Sequence, residues 1–276
     1  MTLLEQSPRS HGVTRSRWRL ADLAVLGAWL AGLSGSGRWK VLRRLGISYK
    51  QALHFVTSPD PAYHAKRWAL VHAFAEAMMK PEEVVLLFSD ELTFYRRPSL
   101  APAYHSQGKS QPLAREVPGY NTPTRLVATL DGYSGRVLYQ QARQVGKQEL
   151  IRFYAAIRQA YPQAKRIYLA QDNWPVHLLP DVLTAAAGNR LSPLFFPTYA
   201  SWLNPIEKLW RWLKQDVLHV HNLAHNLDEL RRLVHLFLDA FQHGSADLLR
   251  YVGLDPILDV YKRQSSPCGA CSVRAS

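Results

Sequence analysis

Along the first fifty residues, apolar positions recur at Leu23, Leu26, Leu30 and Leu33. This is the helical period, and it predicts a helix from Trp18 to Leu33. Ser34-Gly35-Ser36-Gly37 reads as a break, and Arg38 to Leu45 as a short basic helix stopped by Gly46. Helix, glycine-containing turn and basic helix together suggest a helix-turn-helix. Ser58-Pro59-Asp60-Pro61 reads as a linker, followed by a helix from Tyr63 to Met79.

From Pro81 the texture changes. Glu83 to Asp90 is a short apolar run ending in an acid, the pattern of a buried strand. Leu126 to Leu130 and Val137 to Gln141 read as two strands, with Asp131-Gly132 as a hairpin signal between them. An amphipathic helix spans Gln148 to Tyr161, and a second buried strand ending in an acid spans Arg166 to Asp172. Val176 to Ala187 reads as a helix, Leu191 to Phe196 as a strand, and Ser201 or Asn204 as the start of a long helix to about Leu218. A last helix begins at Asn226, with an apolar stripe at Leu230, Leu233, Val234, Phe237 and Phe241. Hairpins followed by helix crossovers predict an α/β fold, a mixed sheet flanked by helices, in the element order of the RNase H-like fold.

Composition narrows the function. The 276 residues carry a formal net charge of +13, which favours a polyanionic partner such as nucleic acid. Residues 1–50 hold nine Lys/Arg against Glu5 and Asp22, over half of the excess. Within them Arg38, Lys40, Arg43, Arg44 and Lys50 are the candidates for DNA contact, with Arg96 and Arg97 as weaker ones. No apolar run approaches a membrane span, and the first twenty residues lack the pattern of a signal peptide. A cytoplasmic protein is expected. Both cysteines, Cys268 and Cys271, fall after Asp259-Val-Tyr-Lys-Arg-Gln, a hexapeptide that reads as translated sequencing-library adaptor. Residues 259–276 are therefore read as foreign, and the Cys-x-x-Cys carries no metal or redox expectation.

Three acids carry the chemistry. Asp90 and Asp172 end strands that are neighbours in a sheet of this order, and ligands favour the carboxyl edge of α/β sheets. Glu207 lies in the first turn of the helix after the last strand. Its local reading is different: Asn204 as N-cap, Pro205 at the first helical position and Glu207 at the third form a capping box. Convergent carboxylates repel unless a cation joins them, and a hard divalent ion such as Mg²⁺ takes oxygen ligands. Two such ions suit in-line phosphoryl displacement.

Three segments carry a resemblance. They are Phe88-Ser89-Asp90-Glu91, Gln171-Asp172-Asn173-Trp174-Pro175-Val176-His177, and Pro197-Thr198-Tyr199-Ala200-Ser201-Trp202-Leu203-Asn204-Pro205-Ile206-Glu207-Lys208-Leu209-Trp210. The chain resembles the DDE transposases of the mariner superfamily, in particular the bacterial insertion-sequence 630 family. The 34 residues between Asp172 and Glu207 match that family's spacing. The resemblance implies cut-and-paste transposition by a metal-dependent DNA endonuclease and strand transferase. Asp90, Asp172 and Glu207 would bind two Mg²⁺ ions, with Mn²⁺ as a substitute, and Asn173, His177 and Asn204 would support the site. It implies terminal repeats and TA target DNA as partners, a homodimer on DNA as the candidate assembly, and the bacterial nucleoid as location. The expected organisation is a partial helix-turn-helix DNA-binding region (1–57), a linker and helix (58–80), an RNase H-like catalytic domain (81–220) and C-terminal helices (221–258). Two alternatives stand beside it: a truncated, inactive fragment that only binds DNA as a regulator, and another RNase H-like nuclease such as a resolvase.

Overall fold

The structure, a computed structural model, describes residues 3–49 and 57–255. Lys50 and the 259–276 tail with its two cysteines lie outside the described residues. The chain divides into two units, residues 1–56 and 57–276. Among the described residues no helix is long and apolar enough to cross a membrane.

In the first unit the helix expected from Trp18 to Leu33 does not form. Asp22 accepts a hydrogen bond from Arg19 N at 3.0 Å and pairs with Arg15 at 2.5 Å, which fixes a 3₁₀ turn over Asp22–Leu26. Gly27 is extended, with φ 174° and ψ 140°, and only the short α1 (Ala28–Ala31) follows. Leu23 and Leu30 are buried as the periodicity required, but from two separate turns. Ser34-Gly35-Ser36-Gly37 is not a break. Ser34 accepts from Gly37 N and caps α2 (Gly35–Arg44), so the serine outweighs the poor helix propensity of the two glycines.

The second unit opens with α3 (Tyr63–Met79), in the predicted place. Five strands follow: β1 (Val84–Tyr95), β2 (Pro123–Asp131), β3 (Val137–Ala142), β4 (Arg166–Gln171) and β5 (Leu191–Phe195). They form one sheet in the order β3-β2-β1-β4-β5. The hairpin pairs are antiparallel, and β1–β4 and β4–β5 are parallel. The helices α4 (Lys147–Ala160), α5 (Pro180–Gly188), α6 (Ile206–Leu213), α7 (Leu227–Asp239) and α8 (Ala246–Val252) cover it.

Burial explains the strand texture. Leu86 and Phe88 join the core under α3, α6, α7 and α8, while Val85 and Leu87 join the core under α4 and α5. A strand covered on both faces reads as a continuous apolar run rather than an alternation. Asp90 does not end β1, as the run suggested. Pairing with β4 reaches only to Phe88↔Ala170, but β1 continues beside β2 to Tyr95, with Leu92 and Phe94 buried. Asp90 therefore sits in mid-strand, at the point where β4 parts from β1.

Two helices depart from expectation at their ends. Pro180 splits the helix expected from Val176 to Ala187 into a 3₁₀ turn, Pro175–Leu178, and α5. The long helix to Leu218 is a 3₁₀ turn (Ser201–Leu203), then α6, then a π-turn (Lys214–Leu218). Asn226 caps α7 as its sequence implies, accepting from Glu229 N at 3.1 Å.

The β2–β3 turn is wider than a two-residue Asp-Gly hairpin. Asp131 N donates to Arg136 O, and the Asp131 carboxylate accepts from Tyr133 N and Ser134 N. The left-handed residue is Gly135, φ 71°, where a Cβ would stand 2.4 Å from Ser245 O. Gly135→Ala must therefore move a backbone segment as well as hold a strained φ. A loss of about 2 kcal/mol or more in urea unfolding is expected. A loss under about 0.5 kcal/mol would show that the α7–α8 connection yields freely.

Candidate active site

The register places Asp90 and Asp172 together. Phe88 pairs with Ala170 across β1 and β4, so Asp90 and Asp172 stand two residues further on in each chain, at one edge of the sheet. α6 packs on β1 and brings Glu207 to the same edge.

Glu207 does not cap its helix. The Asn204 side chain turns away from the helix start and donates from Nδ2 to Ser89 O at 3.1 Å, tying the third acid's turn to the first acid's strand. Asn204 is buried, and no side-chain cap bond forms at the start of α6. The predicted capping box is thus displaced by a contact between residues 115 apart in sequence.

Asp90 is largely buried. Burial, then the charges of Glu207 and Glu91, push its carboxyl up to about 7, although Trp210 Nε1–H donates to Oδ2 at 2.9 Å. Trp210 is itself 1% exposed and joins the core, so the residue that orients Asp90 is held rigidly.

Asp172 follows the last residue of β4 in an Asx turn, accepting from Trp174 N at 2.9 Å. Asn173 Nδ2 donates to Phe196 O at 2.8 Å and fastens this turn to the end of β5. His177, 1% exposed, lies 3.2 Å through Nδ1 from the Asp172 carboxylate and 3.1 Å through Nε2 from Glu91. Burial lowers the His177 pKa, but its bonds to Asp172 and Glu91 outweigh burial and raise it to about 9. The bond from His177 in turn holds Asp172 below the usual carboxylate range. Among the described residues, the set of His and acid ligand atoms lying within 4.8 Å of one another is Glu91, Asp172 and His177. Asp90 and Glu207 form a second, mutually repelling pair beside it.

Glu91, which in sequence reads as a spare acid near the site rather than a ligand, stands with Asp172 and His177 in that set. Asp90 and Glu91 are consecutive on a strand and so point to opposite faces, Asp90 toward Trp210 and Glu91 toward His177. The adjacency of two acids on a strand was the available signal. The donor set, four carboxylates and one imidazole, suits a hard divalent cation, and the raised Asp90 marks a place where added positive charge is favoured.

The N-terminal candidates fare unevenly. Lys40, Arg43 and Arg44 are exposed on α2, with the Arg43 guanidinium 5.2 Å from the Trp39 ring centre. Arg38 is turned inward, donating to Leu30 O at 2.8 Å, Ala31 O at 3.1 Å and Leu20 O at 3.4 Å. It braces the end of α1, because carbonyls left open at a helix end take a cationic donor. Arg96 and Arg97 likewise hold the 117–119 loop through its carbonyls.

The family model for the DDE superfamily endonuclease matches residues 85–231. The insertion element IS630 uncharacterized 39 kDa protein of Shigella sonnei is 24% identical over 238 residues, covering 84% of this chain and 67% of that protein. Among solved structures, the Mos1 transposase paired-end complex with left transposon end aligns with a TM-score of 0.61 at 14% identity, over 96% of this chain and 80% of that one. A pre-cleavage Mos1 transpososome aligns at 0.60 and 16% identity, over 92% and 79%. At these identities the likeness speaks to the fold, and the fold is the RNase H-like one. A family model matched over more than half the chain settles the kinship: the chain belongs to the DDE superfamily of endonucleases.

Proposed function

We propose that the chain cuts DNA at the ends of an insertion element and joins the freed ends to target DNA, with Asp90, Asp172 and Glu207 as metal-binding catalytic acids. The observation that carries this is the burial of Asp90 beside Glu207 at the edge where Asp172 also stands. Divalent ions, Mg²⁺ or Mn²⁺ and two in number on this reading, would supply Lewis acidity and a water nucleophile at neutral pH. The chain's own residues supply order. Trp210 holds Asp90, His177 holds Asp172, and Asn204 and Asn173 fasten the two turns that present Glu207 and Asp172. Lys40, Arg43 and Arg44 on α2 are the candidates for the element's terminal repeats, with TA as target, a homodimer as assembly and the nucleoid as place of work.

The test is nicking of supercoiled plasmid with Mg²⁺ or Mn²⁺, beside Asp172→Asn. Metal-dependent nicking by the chain, and loss of it by on the order of 10³-fold in the variant, is the expected result. Equal rates in both would assign the nicking to a contaminant. Salt-sensitive DNA binding with no nicking would replace this reading with a fragment that binds and does not cut.

A further inference from the structure

Glu207, Arg211 and Lys214 follow one another at i, i+4 and i+7, so the face of α6 that presents the third acid continues as a row of cations. A groove of about 500 Å³ runs along this face, lined among others by Trp202, Asn204, Glu207, Arg211 and Lys214. Arg211 and Lys214 are exposed and have no side-chain partner among the described residues. Three arginines on α7 and α8 differ. Arg231, Arg232 and Arg250 each pair with an acid three residues earlier. Lys208, also on the groove, is committed to Val252 O at 2.7 Å.

Two further features mark the groove as built for a ligand. Asn204 is 6% exposed, and its Oδ1 is buried with no hydrogen-bond partner, although its Nδ2 is satisfied by Ser89 O. An acceptor in that position calls for a donor from whatever enters. Trp202 is 48% exposed, on a 3₁₀ turn whose preceding loop is pinned in place. Ser58 Oγ donates to Thr198 O at 2.6 Å, and Asp60 Oδ2, held by Lys66, accepts from Thr198 N at 3.0 Å. An exposed aromatic on a fixed wall beside unpaired cations is the combination that grips single-stranded nucleic acid.

We propose that this groove seats an unpaired segment of the DNA strand next to the phosphate undergoing cleavage. The inference rests on the transposase reading of the neighbouring acids. Backbone phosphates lie on Arg211 and Lys214, a base stacks on Trp202, and a base or sugar donor meets Asn204 Oδ1. A fully paired duplex offers phosphates to the same cations, but its bases are already stacked and give Trp202 no partner.

The test is binding in EDTA, so that no reaction intervenes, of a fluorescent oligonucleotide of ~12 nucleotides and of the duplex of the same sequence, by anisotropy over a salt series. Three variants of the full chain are compared: Arg211→Glu with Lys214→Glu, Trp202→Ala, and Arg231→Glu with Arg232→Glu as a charge-matched control, all with melting curves recorded. The α6 pair is expected to weaken single-strand binding ~tenfold or more and to flatten the log–log salt slope by about 1.4, two phosphates' worth on a single strand. Trp202→Ala is expected to cost about tenfold with the slope unchanged, because stacking releases no counterions. Duplex binding should change far less in both, and the control should bind the single strand as the parent does. Unchanged single-strand affinity in the α6 pair and Trp202→Ala would overturn the groove, as would an equal loss in the control. If the parent still nicks plasmid with metal in that event, the transposase reading stands and only the groove falls. A parent that binds single strands through these residues but never nicks would sink the reading of the acids instead.

Discussion

Glu207→Gln abolishes metal-dependent DNA cleavage while leaving α6 and, at pH ~5, the melting temperature essentially as they are. Two roles compete for this carboxylate, and the structure separates them. A capping glutamate would reach back to the amide of Asn204, but that amide is already bonded to Ser201 O, and the Asn204 side chain is engaged with Ser89 O. Glu207 is exposed, with its charge felt by Asp90 rather than by the helix start. Removing the charge therefore breaks no structural bond, and at pH ~5, where Asp90 still holds its proton and has no charge for Glu207 to repel, a stability change within about 0.5 kcal/mol follows. Even Glu207→Ala, which a capping role would penalise by about 1 kcal/mol, should melt like the parent at that pH. Cleavage is another matter, because a carboxamide is a poor ligand for a hard dication. A fall on the order of 10³-fold or more in plasmid nicking is expected, with DNA binding in EDTA retained. Nicking within about threefold of the parent would return Glu207 to an ordinary surface residue.

The capping question shows which parts of this protein are legible in one dimension. Asn204-Pro205-Ile206-Glu207 satisfies a local rule and a distant one equally well, and only Ser89, 115 residues earlier, decides between them. Local rules succeed where the answer is local. Tyr63–Met79 forms as the periodicity predicts, Asn226 caps α7, and the doubly covered strands are continuous in apolar sequence. They mislead where a tertiary partner ends an element. The apolar run before Asp90 stops because coverage by β4 stops, whereas β1 itself persists through its pairing with β2. In the N-terminal unit the leucine spacing is helical, yet Asp22 and the extended Gly27 break the helix into turns. The three acids and their order along the sheet edge were legible, since strand order dictates which strand ends are neighbours. The contacts that orient them were not. Trp210 to Asp90 spans 120 residues and Glu91 to His177 spans 86, and neither leaves a pattern in sequence. Arg38 illustrates the same limit from the opposite side, a basic residue in a basic helix that the fold consumes as a brace.

Asp90→Asn produces a metal-free protein that is more stable than the parent at neutral and alkaline pH. The sign follows from the direction of the shift. Burial and the charges of Glu207 and Glu91 raise the Asp90 carboxyl to about 7 in the fold, against the ordinary value near 4 in the unfolded chain. A raised carboxyl binds its proton more tightly when folded. Its contribution is therefore fully present below about pH 4 and is lost as the pH climbs through 7, where folding must force the charge on. Asparagine removes that charge and keeps an oxygen to accept from Trp210 Nε1–H. A gain on the order of 2 kcal/mol at pH ~8 in EDTA is expected, shrinking toward zero near pH 4. Saturating Mg²⁺ should reverse the ranking. The parent gains stability by mass action because the metal meets an ionised Asp90, and the variant gains far less. Metal affinity of the parent should itself rise with pH up to about 7, as the competing proton leaves, and then level off. Melting curves over this pH range, with EDTA and with Mg²⁺, read both effects at once. An Asp90→Asn protein less stable than the parent in EDTA at pH ~8 would mean that Asp90 is a structural hydrogen-bond acceptor. The repulsion at this sheet edge would then not be what the fold gives up for catalysis.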